Sequence, residues 1–272
     1  MGFLRAFFLV FLTCILGSST VRAETRGIQD EANRLVMKFE KAISRASIWP
    51  LALDAEKRPQ VNKQAGALSV TLRSDLGVEG FHYTFRSWLV DLLYVKLPTM
   101  GKYMGIPIST LPGDTPNSNI EIWIGSPETI AEWLSHRHDD AIARRAVRNT
   151  ACGVDIRDST RSTKIVIRHD TSPAVMRHCT LAGILAAFGL PGLMSEAQTS
   201  LTEIKGEPVD TFNNDIRVLL RVLYDARMRN GMTVEQAVAQ ARNIVPGLLK
   251  LVDTEGYPAL FQIRAAPNSA VR

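Results

Sequence analysis

Lys164-Ile165-Val166-Ile167-Arg168 is a short apolar run flanked by charge, and after His169-Asp170-Thr171-Ser172 the chain opens on Pro173 into an apolar stretch that reaches Phe188 and stops at Gly189. The first run has the length and content of a central strand. In the second, proline in the first turn of a helix has no intrahelical bond to lose, and glycine accepts the left-handed conformation that ends one. Together they bracket a helix over 173–188, with Asp170, Thr171 or Ser172 available to cap its start. Leu181, Ile184, Leu185 and Phe188 fill the i, i+3, i+4, i+7 positions of one large apolar face. Cys179, Ala182, Gly183 and Ala186 make the opposite face small, so that a second backbone can approach it. That approach would offset the roughly 1 kcal/mol that a mid-helix glycine costs relative to alanine. Tight packing is therefore preferred to a ligand pocket lined by the small face.

Outward from this strand and helix the same patterns repeat. Ile28, Ala32, Leu35, Phe39, Ala42 and Ala46 recur at helical steps before Pro50, and 54–64 reads as an exposed polar connection. Leu68, Val70 and Leu72 alternate as a strand, and Phe85, Trp88, Leu89, Leu92 and Val95 restore helical spacing up to Pro98. Gly101 to Asn119, with Pro107, Pro112, Gly113 and Pro116, reads as a long loop. Ile120, Ile122 and Ile124 predict a second strand, and Pro127 to about Val147 one or two charged helices. Ile216, Leu219, Leu220 and Leu223 predict a further helix, and Thr233 with Gln236 forms a capping box for a last one over 234–245. The order predicts an α+β fold, a single domain over 24–272 with a small mixed sheet packed by helices and no internal repeat.

The N-terminus predicts where that domain resides. Arg5 precedes an apolar run from Ala6 to Leu16, and Val21-Arg22-Ala23 supplies the small residues of a cleavage site, so residues 1–23 read as a secretory signal peptide. The run falls well below the ~20 residues that span a bilayer. Cys14 lies inside it without the preceding small residue that lipid attachment needs. Cleavage after Ala23 removes Arg5 and Arg22, taking the net charge of +5 to +3, and leaves Cys152 and Cys179. The mature chain has no second long apolar run, so no transmembrane segment is expected. In an oxidising compartment the two cysteines are expected to pair. The charge is too modest and too dispersed for a nucleic-acid partner.

Three polar constellations were candidates for chemistry. His136-x-His138-Asp139-Asp140 has metal-capable residues but no third, spaced ligand, and imidazoles two apart on a helix do not share a face. His169 and Asp170 end the third strand near His178 on the following helix, a possible acid–base or metal pair, with local capping bonds as the bland alternative. Arg144, Arg145, Arg148, Arg157, Arg161, Lys164, Arg168 and Arg177 form a locally basic stretch that could meet an anionic glycan or lipid headgroup, with solvated charge as the preferred reading. Arg221 and Asp225 are spaced as a helical ion pair, worth a few tenths of a kcal/mol if exposed. There is no G-x-S-x-G elbow, Gly-rich phosphate loop or C-x-x-C pair.

Two segments resemble a family of exported proteobacterial proteins, the domain of unknown function DUF2927. Cys179 to Pro191 is similar to that family's C-x-x-E-E-L-x-Q-x-L-G-L-x-N helix, and Leu219 to Thr233 to its L-L-R-L-L-Y-D-x-R-L-R-x-G-M-T segment; Cys152-Gly153 fits its first cysteine. The resemblance implies a degenerate zincin-like (metalloprotease-like) fold, because the family's helix looks like a worn H-E-x-x-H-x-x-G. A zinc protease needs two imidazoles one turn apart and an adjacent glutamate. Here those positions are Ala182, Gly183 and Ala186, so this helix offers no zinc ligand. The expectation is an exported periplasmic protein, with secretion past the outer membrane left open. It would bind an envelope protein, glycan or lipid without catalysis, metal or cofactor. The alternative is a hydrolase of an envelope polymer acting through His169, Asp170 and His178.

Overall fold

Alternating apolar residues build the sheet. In the computed structural model, which describes residues 27–44, 60–76, 78–115, 118–135, 144, 148, 151–157, 162–195, 198–199, 204–205 and 209–261, five strands line up in the order β2-β1-β3-β5-β4. These are β1 (Leu68–Ser74), β2 (Ile108–Leu111), β3 (Ile120–Gly125), β4 (Cys152–Arg157) and β5 (Ser162–Arg168). β1 pairs in parallel with β2 and β3, β3 with β5 likewise, and β4 runs antiparallel at the edge. The fold is thus a mixed, mostly parallel sheet with helices packed on it, as the sequence leads one to expect.

One face of the sheet is the core. Leu68, Val70, Ile120, Ile122, Ile124, Ile165 and Ile167 are all buried. The alternate residues make the other face polar: Thr71, Glu121 and Lys164 stand in register, and the Glu121 carboxylate takes Arg73 and Lys164, each at 3.0 Å. Helix α1 (27–44) buries Leu35, Phe39, Ala42 and Ile43. It is tied to the start of α6 (Asn214–Leu223) by Asp215, which accepts from Arg34 at 2.7 and 2.8 Å and from Lys38 at 2.9 Å. The other helices are α2 (Tyr83–Asp91), α3 (Leu97–Met104), α4 (Pro127–Ser135), α5 (Pro173–Ala187) and α7 (Val234–Glu255). α5 packs on β5, β4 and β3 and against α2, while α3 packs on α6 and α6 on α7. No helix among the described residues is long and apolar enough to cross a membrane.

Several boundaries depart from the sequence reading for identifiable reasons. Pro98 does not stop the helical run. It sits in the first turn of α3, joined to α2 by a π-type turn, Leu92–Lys96, in which Leu97 N–H reaches back to Leu92 O. Proline lacks the N–H that an α-helix would direct at the carbonyl four residues earlier, and the wider turn absorbs that loss. Part of the expected loop 101–119 is therefore helix, ending at Gly105 with φ 71°, and another part is β2. A four-residue strand between glycine and proline shows too little alternation to be recognised. β4 was missed for a similar reason, as Gly153 and Asp155 break its apolar pattern. α7 runs past its expected end at Val245, through Pro246, to Glu255.

Candidate functional site

α5 is held from both ends and from below. Ser172 Oγ accepts Val175 N–H at 3.3 Å with Pro173 in the first turn. At the other end Gly189 adopts φ 106°, and Gly189 N–H and Leu190 N–H return to Ala186 O and Leu185 O at 3.0 and 2.9 Å, the paired closure that a left-handed residue permits. Between these caps the small face lies on the sheet. A methyl group at Gly183 would sit 2.6 Å from Ile165 Cγ2, so the close neighbour is a β5 side chain and not the second backbone that the sequence suggested. Cys179 forms a disulfide with Cys152 on β4, with 5.9 Å between Cα atoms. Ala182 and Ala186 are 0% and 1% exposed. Gly183 thus seats the helix on β5, with Ala182 and Ala186 buried beside it.

The three residues proposed for a relocated site occupy different surroundings. His169 and Asp170 form the turn after β5, where His169 N–H bonds Gly125 O at 3.0 Å. Asp170 is clasped by the Arg168 guanidinium, Nε donating to Oδ1 at 2.8 Å, which holds its carboxyl below the usual range. His178 is fully buried, and its Nδ1 accepts Val209 N–H at 2.9 Å, so its proton resides on Nε2, which has no hydrogen-bond partner among the described residues. Burial pushes its pKa down to about 4 against the opposing pull of Asp210. His178 is thus a neutral acceptor that pins the 209–210 segment. His136, His138, Asp139, Asp140, Arg145 and Arg161 lie outside the described residues, as do residues 1–23, where a signal peptide is expected. Among the described residues no three His, Cys, Asp or Glu side chains are grouped to hold a metal.

A neighbour that sequence reading did not single out stands beside His169. Asp75 follows β1 and accepts Ser126 N–H at 2.9 Å and Trp123 Nε1–H at 3.3 Å. Its burial raises the carboxyl pKa, but the bonds from Ser126, Thr129 and Trp123 and the nearby His169 outweigh this and hold it low. Asp75, Ser126 and His169 lie at the carboxyl ends of β1, β3 and β5, the end of an open parallel sheet at which ligands commonly bind. No local motif marks Asp75. It joins the others only through strand register.

The Leu219–Thr233 segment works as a clasp on residues 60–64. Tyr224 Oη donates to Phe188 O at 3.0 Å and accepts Gln64 N–H at 3.1 Å. Asn230 brackets Lys63, accepting its N–H at 2.8 Å and donating to its C=O at 3.1 Å. Gly231 N–H and Met232 O bond Val61 from both sides, at 2.9 Å each. The polar connection expected to be exposed is therefore partly internal: Val61 is 2% exposed, and Lys63 Nζ donates to Asp225 O at 3.2 Å and Met228 O at 2.7 Å. Arg221 and Asp225, spaced as a helical ion pair, are 4% and 6% exposed.

These features define an α/β domain whose principal helix is bolted to a mostly parallel sheet by a disulfide, with its C-terminal end closed over by an extended strap. The chain belongs to the DUF2927 family, described as a protein of unknown function, which matches residues 54–243, more than half of its length. No curated protein and no solved structure matches it.

Proposed function

We propose that this chain is an exported, non-catalytic binding or accessory protein of the cell envelope, on a zincin-like scaffold that has lost its metal site. The observation that carries the reading is the state of α5. Ala182, Gly183 and Ala186 have no side-chain lone pair or proton to offer; Gly183 lies against Ile165 and the two alanines are buried, which leaves no room for a hydrated metal. The fold is compatible with the zincin resemblance. The buried, neutral His178 and the Arg168-bound Asp170 favour this reading over a hydrolase built from the same residues. Export rests on the charge, apolar run and small-residue site of residues 1–23. The test is N-terminal sequencing of protein recovered by osmotic shock from the native cell. A chain beginning at Glu24 in the released fraction is expected; an intact Met1 in the cytosolic fraction would overturn the envelope assignment.

A further inference from the structure

Arg221 presents a charge that the described chain does not satisfy. It projects from the last turn of α6 with 5% of its side chain exposed, and its Nε is enclosed without a hydrogen-bond partner. Its closest acidic atom, Asp225 Oδ2, lies 3.9 Å from Nη2, beyond hydrogen-bond reach. Asp225 is already engaged: its Oδ1 accepts both Arg227 N–H at 3.0 Å and Arg227 Nε at 2.8 Å, and its Oδ2 accepts Arg227 Nη2 at 3.1 Å. Lys63 adds a third cation and spends its protons on the carbonyls of Asp225 and Met228. The helix C-terminus explains that lysine, because terminal carbonyls attract cations. It does not explain Arg221, which donates to no carbonyl among the described residues.

A guanidinium has five donors in a planar fork suited to two oxygens of one group, and that of Arg221 makes no hydrogen bond among the described residues, its charge partner there being the Asp225 carboxylate at 3.9 Å. Three cations face one carboxylate here, and the surface is close, since the Arg227 side chain is 53% exposed. We propose that Arg221 is the floor of a binding site for a small oxyanion, a carboxylate or phosphate group that enters beside Asp225 and Arg227 and takes paired hydrogen bonds from the guanidinium. The site uses none of the residues at positions 182, 183 and 186 of α5 and stands independently of any envelope role.

The test is a titration of mature, disulfide-bonded protein carrying nitrogen-15 arginine, with sodium acetate or sodium phosphate exchanged for sodium chloride at constant ionic strength. The Arg221 Nε–H signal is expected to shift saturably with at least one oxyanion, and the melting midpoint to rise by a few degrees at about tenfold excess over the dissociation constant. Tighter binding of acetate assigns a carboxylate ligand, and tighter binding of phosphate a phosphate ester. Asp225→Asn keeps an acceptor for the Arg227 N–H and Nε bonds, gives up the Oδ2 bond to Arg227 Nη2 and removes the competing charge, so it should tighten binding on the order of tenfold. An Arg221 signal that is unmoved, or moves no more than in chloride, overturns the site. So does a folded Asp225→Asn protein that binds no more tightly than the wild type.

Discussion

At the residue scale, two side chains on α5 decide how far its environment can be altered. His178 is neutral because burial opposes its charge, and its pKa falls from 6.5 to about 4. Between those values the unfolded chain holds the extra proton and the folded chain does not. Stability is therefore complete above about pH 6.5 and declines as pH falls toward 4, by an amount on the order of 3 kcal/mol. The carboxylates of Asp75, Asp170, Asp215 and Asp225, all held below 3.8, give up their contributions only at lower pH. In His178→Asn the amide oxygen can still accept Val209 N–H, so urea unfolding of this variant should lose most of the slope between pH 4 and 6.5. An unchanged slope would assign the dependence to another group. Gly183→Ala gains about 1 kcal/mol of helix propensity but forces a methyl group to 2.6 Å from Ile165, where overpacking costs about 1–3 kcal/mol. Net destabilisation is expected in chemical denaturation, and a more stable variant would show that the helix is not seated as described. Both side chains lie in a stretch whose small face was legible from sequence. What that face touches was not, because Ile165 reaches Gly183 only once the helix folds back over its own preceding strand.

At the scale of elements, the legible ones were those with long or strongly alternating apolar patterns: α1, β1, β3, β5, α5, α6 and the start of α7. Their caps were legible too, Ser172 and Thr233 both accepting from backbone N–H groups at the expected positions. β2 and β4 escaped because four residues, or six interrupted by glycine and aspartate, carry little periodicity. The clasp of 60–64 by Tyr224, Asn230 and Gly231 escaped because backbone-to-side-chain bonds across such a separation leave no local pattern. The disulfide was readable by counting cysteines under the assumption of export, and it joins an edge strand to the principal helix. Closing a ring with a sequence separation of 27 residues contributes about 3–4 kcal/mol in the loop-entropy model. Replacing both cysteines by serine should lower the denaturation midpoint accordingly. Wild-type protein recovered from its native cell should resist thiol alkylation until reduced, and two freely alkylated thiols in the folded protein would refute the bridge.

At the scale of the whole molecule, the mixed sheet and the single α/β domain followed from the order of elements, whereas a candidate site could only be read where chemistry and sequence coincide. His169 and Asp170 are adjacent and were visible as a pair, but their neighbour Asp75 comes from a strand two places along the sheet. The oxyanion site at Arg221 depends on burial, which no spacing rule reports. The central proposal is that α5 serves as packing and holds no metal, with binding as the function of the domain. The measurement that addresses it most directly is the metal content of mature, untagged protein purified from its own periplasm without chelators. The account predicts less than a stoichiometric amount of zinc or any other transition metal. One tightly held zinc per chain, lost in His169→Ala, would contradict it and establish a hydrolytic centre at the carboxyl ends of the strands.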